Sequence, residues 1–147
     1  IVASLVGSEM CIRDSQCFVP YPFLKDNTRL PEARLASGEE VIRVISISRI
    51  MLDNIPHIKA YRMNIGDHLS TIAINSGADD IDGTVGHEEI MHVAGSTTNL
   101  NYDSYKLGNL IDSAGQNPVK RDSTYTRFEP LEIKPKREGK LLPIIGQ

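Results

Sequence analysis

The chain has 147 residues, 40% of them apolar, which is enough for one ordinary domain with a hydrophobic core. Its 16 basic and 19 acidic residues give a formal charge of −3, which argues against a general nucleic-acid-binding surface. No apolar run approaches the roughly 18 residues that a membrane-spanning helix requires.

The first residues differ in kind from the rest. The chain begins with Ile1 rather than Met, and LVGSEMCIRD at Leu5–Asp14 resembles a translated sequencing-library adapter. We therefore predict that residues 1–15 are a non-native segment and that the natural chain is longer. Without that segment Cys17 is the only cysteine, which provides neither a disulfide framework nor a zinc site and indicates the reducing cytoplasm.

The next segments alternate between strand and helix character. Cys17–Phe23 is a short apolar stretch that ends in two prolines, and we predict a strand there. Ser37 begins the clearest helix, because Ser-Gly-Glu-Glu is a capping-box pattern and the apolar residues after it have helical spacing. We expect that helix to stop at Asn54–Pro56, because a residue before proline avoids helical angles.

The same alternation continues to about residue 115. Ile58–Met63 predicts a second strand, with Lys59 and Tyr61 on one face and Arg62 on the other. Beyond Pro118 the pattern fades, and the charged stretch that follows predicts a surface tail. The other predicted elements are a helix at Leu69–Ser76 ended by Gly77, a strand within Gly77–Gly86, a helix at Glu88–Ala94, a helix at Tyr102–Ala114 capped by Asn101, and the tail at Lys120–Lys140.

This order is typical of parallel βα units, so we predict the α/β class. Three such units neither close a barrel nor form a large doubly wound sheet, which agrees with a partial domain. Parallel sheets carry their chemistry at the carboxyl ends of the strands. The candidates at those ends are Tyr21, Pro22, Arg62, Asn64, Asp82, Gly83 and Thr84.

The sequence GADDIDGTVG at Gly77–Gly86 places acidic residues where the third strand is expected. In a strand, Asp80, Asp82 and Thr84 point to one face, and buried carboxylates there need a ligand, a cation or basic partners. Alternatively, Asp79 and Asp80 are ordinary turn residues. For Asp82, between an isoleucine and a glycine, we favour the buried position.

Lys59 and Arg62 are the basic residues of the predicted second strand. Buried basic side chains almost always have acidic partners, and the neighbouring aspartates are suitable ones. A structural ion pair is therefore one interpretation. Binding of a substrate carboxylate is the other, because a guanidinium matches a carboxylate with two parallel hydrogen bonds.

HEEIMH at His87–His92 resembles a zinc-protease motif but has its histidines five residues apart rather than four. On a helix that spacing turns the two side chains about 140° away from each other, so we predict no metal site. Glu88 provides favourable charge at a helix start or contacts a ligand. The sequence also lacks phosphate-loop, dinucleotide-binding and GxSxG motifs.

Four phrases of this chain carry a resemblance to a known family: LDNIPHIKAY at Leu52–Tyr61, GADDIDGTV at Gly77–Val85, FVPYPF at Phe18–Phe23 and PVKRD at Pro118–Asp122. Together they resemble the C-terminal third of the aminofutalosine synthases, which are radical S-adenosylmethionine (SAM) transferases of menaquinone biosynthesis by the futalosine pathway. DIDGT at Asp80–Thr84 favours this family over dehypoxanthine futalosine cyclases and deazaflavin-precursor synthases, which have a pattern closer to GANDxGxT. The resemblance covers roughly Gln16–Phe128.

The resemblance implies a (β/α)₈ TIM barrel, of which residues 16–128 supply the last three βα units and the terminal helices. The charged composition, and not the resemblance, predicts a surface tail at residues 129–147. It implies that the full-length parent uses a 4Fe-4S cluster and SAM to join a 5′-deoxyadenosyl radical to 3-[(1-carboxyvinyl)oxy]benzoate. The cluster motif CxxxCxxC is absent from this chain, so we expect the fragment alone to be inactive and to lack a bound cofactor.

The same resemblance, with the strand-end positions, suggests substrate- or SAM-binding roles but no catalytic residue and no metal ligand. Arg62 and Lys59 would hold the two substrate carboxylates. The expected partners are a small-molecule substrate and the missing N-terminal part of the barrel, with no nucleic acid and no membrane. The alternatives are another radical-SAM relative or a non-catalytic α/β module. The candidate residues are Tyr21, Asn27, Lys59, Tyr61, Arg62, Asp82, Thr84 and Glu88.

Overall fold

The computed structural model describes residues 15–133, so almost all of the adapter-like segment and the end of the predicted tail lie outside the described residues. The described part is an α/β structure with a parallel sheet of order β1-β2-β3 and a separate antiparallel hairpin. The strands are β1 Cys17–Phe18, β2 His57–Ala60, β3 Asp80–Ile81, β4 Val119–Arg121 and β5 Phe128–Pro130. The helices are α1 Gly38–Met51, α2 Arg62–Ile74, α3 Ile90–Val93 and α4 Ser104–Ser113.

The sheet register separates an apolar face from a polar one. Cys17 pairs with His57, and Lys59 pairs with Asp80, all through parallel ladders. Because side chains alternate along a strand, Ile58 and Ala60 of β2 point the other way. Both are fully buried in the core that the helices cover. The predicted parallel βα units are confirmed, and the polar face of the sheet is the one opposite the helices.

Helix α1 begins where the capping pattern predicts. The Ser37 hydroxyl accepts a hydrogen bond from the Glu40 amide at 3.2 Å, and the Glu40 carboxylate accepts one from the Ser37 amide at 2.8 Å. Val41 and Ile45 are buried against the sheet. The helix ends at Met51, a few residues before Pro56. The local sequence was sufficient to predict the start of this helix, because both residues of the capping box lie within one helical turn.

The prediction that β2 extends through Met63 is wrong, because α2 begins at Arg62. The Tyr61 carbonyl accepts the amides of Asn64 and Ile65, which closes a helical turn directly after the strand. This first turn is separated from the rest of α2 by Gly66, whose φ of +81° interrupts the helix. The Arg62 amide donates to the Asp82 carboxylate on the neighbouring segment, a tertiary contact that no local pattern contains.

Two further predictions about elements are corrected. The cap of α4 is Asp103, whose carboxylate accepts the Lys106 amide at 2.8 Å, whereas the predicted cap Asn101 has a φ of +63°. The surface tail predicted from residue 120 is corrected in one respect, because its first part contains the hairpin β4–β5, whose strands are nevertheless largely exposed. Within residues 15–133, no helix combines the length and apolar character needed to cross a membrane.

Candidate functional site

Two tyrosines lie together at the carboxyl ends of β1 and β2. The ring centroids of Tyr21 and Tyr61 are 4.8 Å apart, with the planes inclined by 50°. Asp82 follows the end of β3 directly, and Glu88 precedes α3. Tyr21, Tyr61, Asp82 and Glu88 are called the strand-end site below. Tyr21 is 57% exposed, so this site is open to solvent on one side.

The charges around these tyrosines are acidic. Burial raises the pKa of Tyr21, and the nearby Asp82 and Glu88 carboxylates raise it further. Burial also raises the pKa of Tyr61, followed by the effects of Tyr21, Glu88 and Asp82. Both phenols are therefore protonated at neutral pH and can donate a hydrogen bond as well as accept one.

Asp82 is a buried anchor for the segment that follows β2. It is 4% exposed, and its Oδ1 accepts the backbone amide of Arg62 at the start of α2. Its Oδ2 lies 3.7 Å from Arg62 Nε, and neither of these two buried atoms has a hydrogen-bond partner among the described residues. Burial raises the pKa of Asp82, against the opposing effects of its own amide and of Arg62.

Arg62 is fully buried, and its guanidinium already has partners within the protein. Its guanidinium donates to Asp67 Oδ1 at 3.0 Å and to the Asn99 carbonyl at 3.2 Å. It also lies over the ring of Tyr102, 4.4 Å from the centroid. The structural ion pair considered for this residue is confirmed. Its role as a carboxylate clamp stays a prediction, and any such contact would have to compete with these partners.

Lys59 belongs to a second polar cluster, centred on Asp80. Arg121 donates to both Asp80 oxygens at 3.0 and 2.7 Å, the Tyr125 hydroxyl donates at 2.5 Å, and Lys59 Nζ lies 3.4 Å away. His57 stacks on Tyr125 with ring centroids 4.3 Å apart. Burial alone would raise the pKa of Asp80, but the hydrogen bonds from Arg121 and Tyr125 and the charge of Lys59 lower it below its usual value.

Arg121 and Tyr125 were missed because they lie in the segment predicted to be a tail. The sequence did contain a hairpin signal. Asp-Ser-Thr at 122–124 is typical of a turn, and it lies between two short segments that contain Val119 and Phe128. The Asp122 carboxylate indeed accepts the Thr126 amide at 2.9 Å within the turn. Mixed charges around the turn concealed the pattern, because strand assignment depends on apolar alternation.

The remaining predicted residues have separate positions. Asn27 Nδ2 donates to the Val93 carbonyl at 2.9 Å, so this side chain provides a hydrogen-bond donor for a carbonyl at the C-terminal end of α3. Thr84 is exposed beyond β3. Glu88 Oε1 accepts the Met91 amide at 3.2 Å, which confirms its expected position at a helix start. The structure thus brings Tyr21 into ring contact with Tyr61 and Arg62 into contact with Asp82, and the Asp82 and Glu88 carboxylates lie near enough for their charges to act on both phenols.

The described residues do not fit an iron–sulfur cluster. Such clusters are held by several cysteine thiolates, whereas Cys17 is the one cysteine among residues 15–133. Burial is the largest cause that raises the pKa of this thiol, which opposes the thiolate form. No group of three or more histidine, cysteine or acidic side chains within the described range is arranged to hold a metal ion.

Comparison with known proteins places these features in a family. The family model described as CofH/MqnC C-terminal region matches residues 14–133. The chain is 34% identical over 112 residues to aminodeoxyfutalosine synthase of Thermus thermophilus, covering 74% of this chain and 30% of that protein.

Two differently named relatives are similar to nearly the same degree. A 5-amino-6-(D-ribitylamino)uracil--L-tyrosine 4-hydroxyphenyl transferase of Methanoculleus marisnigri is 33% identical over 112 residues, covering 74% of this chain and 30% of that protein. The cyclic dehypoxanthine futalosine synthase of Streptomyces coelicolor is 30% identical over 110 residues, covering 75% of this chain and 27% of that protein. The chain thus spans less than a third of the length of these relatives. It belongs to the CofH/MqnC C-terminal region family.

Proposed function

We propose that this chain is the C-terminal part of an aminofutalosine synthase-like radical SAM transferase of menaquinone biosynthesis. The observation that carries the proposal is the strand-end site, in a chain that the family model matches over residues 14–133. Aminodeoxyfutalosine synthases of two organisms are 34% and 31% identical to the chain, and the DIDGT phrase at Asp80–Thr84 favours the same reaction. The parent would join the 5′-deoxyadenosyl group of SAM to 3-[(1-carboxyvinyl)oxy]benzoate.

A (β/α)₈ barrel in the parent accounts for surfaces that the described residues leave open. The outer edges of β1 and β3 have no strand partner within residues 15–133. A cavity of about 690 Å³ is bounded by β3, α4 and the hairpin, with Leu107, Ile111 and Phe128 among its lining residues. Preceding βα units of a barrel would cover these edges and fill this cavity. The polar face of the sheet would then line the barrel interior.

In this proposal the 4Fe-4S cluster and most of the SAM site belong to the remaining two thirds of the parent. This chain contributes the strand-end site, where a ligand would lie against Tyr21 and Tyr61. Asp82 and Arg62 fix the segments that carry the site, through their contacts at the start of α2 and with Asn99. The Asp80 cluster connects the hairpin to β2 and β3.

The test is product formation by the purified longer polypeptide with its cluster reconstituted. It is incubated with SAM and either the carboxyvinyloxybenzoate substrate or L-tyrosine with 5-amino-6-(D-ribitylamino)uracil. Mass spectrometry should detect aminofutalosine in the first reaction and no product in the second. Product in the second reaction alone would assign the parent to the transferase branch of the family. No turnover of either substrate set by a cluster-loaded protein would favour another relative, such as a cyclic dehypoxanthine futalosine synthase.

A further inference from the structure

The segment that carries Tyr21 follows a very short strand. β1 ends at Phe18, and residues 20–25 belong to no helix or strand. Tyr21 lies between Pro20 and Pro22. Each proline fixes its own φ, and Pro22 also restricts Tyr21 to extended angles, so this Pro-Tyr-Pro unit is stiff. A contact that holds Pro22 in place therefore also places the ring of Tyr21.

Asn64 makes such a contact. Its Nδ2 donates to the Pro22 carbonyl at 3.0 Å, across 42 residues of sequence. Among the described residues, this is the one hydrogen bond that joins residues 20–25 to a distant part of the chain. The next anchor is the Asp26 amide, which donates to the Ala94 carbonyl at 3.2 Å. Loss of the Asn64 donor would leave the stretch before Asp26 without a hydrogen-bonded anchor.

The turn that carries Tyr61 is held separately. The Asn64 amide donates to the Tyr61 carbonyl at 2.9 Å, so both residues belong to one helical turn. Asp82 accepts the Arg62 amide, and the Ser96 hydroxyl donates to the carbonyl of the residue after Arg62 at 2.5 Å. Asn64 thus extends from a fixed turn to the less constrained segment at the neighbouring strand end.

The Asn64 side chain is kept at this position at a cost in stability. A flipped amide would place Oδ1 against the Pro22 carbonyl, which is an unfavourable contact between two acceptors. In the observed orientation Oδ1 is buried and has no donor among the described residues. A buried unpaired acceptor lowers stability, whereas an apolar side chain of the same size would not. Asn64 is therefore suited to the contact with Pro22 rather than to packing alone.

We infer that Asn64 is a positioning residue, which sets the contact between the Tyr21 and Tyr61 rings through its hydrogen bond to Pro22. The centroids of these rings are 4.8 Å apart. Asn64 acts on the reaction through Tyr21 rather than by touching the substrate. The importance of this contact for turnover rests on the proposed function, in which a ligand lies against both rings.

The test is a double-mutant cycle on kcat/KM of the longer, cluster-loaded polypeptide with SAM and the carboxyvinyloxybenzoate substrate. Asn64→Leu keeps the size of the side chain and removes the donor, and Asn64→Ser is a second variant, too short to reach the carbonyl. Tyr21→Leu removes the ring of a side chain that is 57% exposed. Asn75→Leu is the matched control, because Asn75 Nδ2 also donates to a distant carbonyl, that of Ala114 at 2.8 Å, at the C-terminal end of α2.

Asn64→Leu and Tyr21→Leu should each lower kcat/KM by about tenfold, because small displacements of groups that position a substrate have large effects on rate. The double variant should be no slower than Tyr21→Leu alone, since Asn64 has no ring to position once Tyr21 is replaced. Asn75→Leu should leave kcat/KM close to the wild-type value. Additive losses in the double variant, or wild-type kcat/KM in both Asn64 variants, would overturn the inference while the proposed function stands.

A crystal structure of Asn64→Leu in the longer polypeptide gives a readout that does not depend on turnover. The Tyr21 and Tyr61 ring centroids should be farther apart than 4.8 Å, with the turn that carries Tyr61 unmoved. Rings that keep the same separation would overturn the inference. A cluster-loaded wild-type polypeptide that forms no product would overturn the proposed function, and the ring separation would then still decide whether Asn64 holds Tyr21.

Discussion

At the scale of single residues, Asp82 illustrates how a candidate ligand can serve the fold first. Its burial was expected from its position between Ile81 and Gly83, and the structure agrees. Its partner was not expected, because the Arg62 amide becomes available only when β2 stops at Ala60. A single buried carboxylate thereby joins the ends of two neighbouring strands.

We predict that Asp82→Ala lowers the free energy of unfolding of the longer polypeptide by about 2–3 kcal/mol, because the buried Arg62 amide loses its acceptor and the buried guanidinium loses a neighbouring negative charge. Asp82→Asn should cost less, since an amide oxygen still accepts the Arg62 hydrogen bond. Urea unfolding of the wild type, Asp82→Ala and Asp82→Asn measures the order of their stabilities. Asp82→Ala should also reduce product formation by more than a few-fold. Equal stability and near wild-type activity would contradict the role given to Asp82.

Asp80 should make stability depend on pH in a definite direction. Its pKa is lower in the folded protein than in the unfolded chain, because Arg121, Tyr125 and Lys59 stabilise the ionised form despite burial. Its contribution is therefore complete above the unfolded pKa and is lost as the pH falls through the lower folded value.

Urea unfolding between about pH 5 and pH 2.5 tests this effect. Asp80→Asn should remove part of the wild-type loss of stability on acidification. Asp112→Asn, at the exposed end of α4, is the control and should retain that loss. An identical pH profile for Asp80→Asn and wild type would contradict the assignment. Asp82 has the opposite effect on the pH dependence of stability, because burial raises its pKa in the folded protein.

At the scale of elements, the sequence predicted the helices and strands that are fixed by local contacts, and it failed for those that are fixed by residues far away in sequence. Helix α1 was predicted from its capping box, whose two hydrogen bonds join residues three apart. The parallel strands were predicted because apolar and turn residues recur in a βα order. The C-terminal end of β2 and the hairpin were not predicted. Arg62 is held by Asp82, which is 20 residues away in sequence, and Arg121 by Asp80, which is 41 residues away. Long-range contacts of this kind have no local pattern.

The hairpin should depend on its contacts with Asp80. We predict that Arg121→Ala lowers the free energy of unfolding by about 3 kcal/mol, because a largely buried carboxylate loses its bidentate partner. Tyr125→Phe should cost about 1–2 kcal/mol, the range for one hydrogen bond to a charged group. Arg127→Ala is the control, because that exposed side chain lies on the same hairpin.

Hydrogen exchange at Phe128 and Glu129 reports whether the hairpin stays attached. Arg121→Ala should accelerate exchange there more than in α1, because the hairpin loses its connection to the sheet before the core unfolds. The same exchange rates in Arg121→Ala and Arg127→Ala would show that the Asp80 contacts do not hold the hairpin.

At the scale of the whole molecule, α1 has an apolar flank without a partner among residues 15–133. Val44, Ile47 and Met51 share one side of the helix and are all more than 40% exposed. The opposite flank is occupied, since Ser46 donates to the Ser76 carbonyl and Arg49 to the Gly77 carbonyl. Together with the unpaired edge of β1, this flank is the surface that a preceding barrel unit would cover in the proposed parent.

We predict that Ile47→Arg destabilises the longer polypeptide by about 2 kcal/mol or more, because it buries an unpaired charge against the preceding helix. Ile72→Arg on α2, where the isoleucine is 40% exposed, is the matched control and should change stability by less than about 0.5 kcal/mol. Thermal melting with light scattering compares them. Conversion of a dimer to a stable monomer by Ile47→Arg would assign the flank to a second copy of the protein instead.

The same open surfaces predict poor behaviour of the 147-residue chain by itself. Two sheet edges that have no strand partner within residues 15–133, together with exposed apolar side chains, favour association between copies. We expect aggregation or incomplete folding on purification. A soluble monomer with a sharp two-state melting transition would contradict this expectation and would favour an independent α/β module.

We propose above that these residues are the C-terminal part of a longer radical SAM enzyme. The most direct measurement is the DNA sequence upstream of the Gln16 codon, amplified from the source DNA. We expect an open reading frame that continues into further barrel strands, encodes CxxxCxxC and lacks the adapter-like LVGSEMCIRD. A start codon close to Gln16, with the adapter-like residues retained in the source DNA, would contradict the claim and leave only the α/β fold.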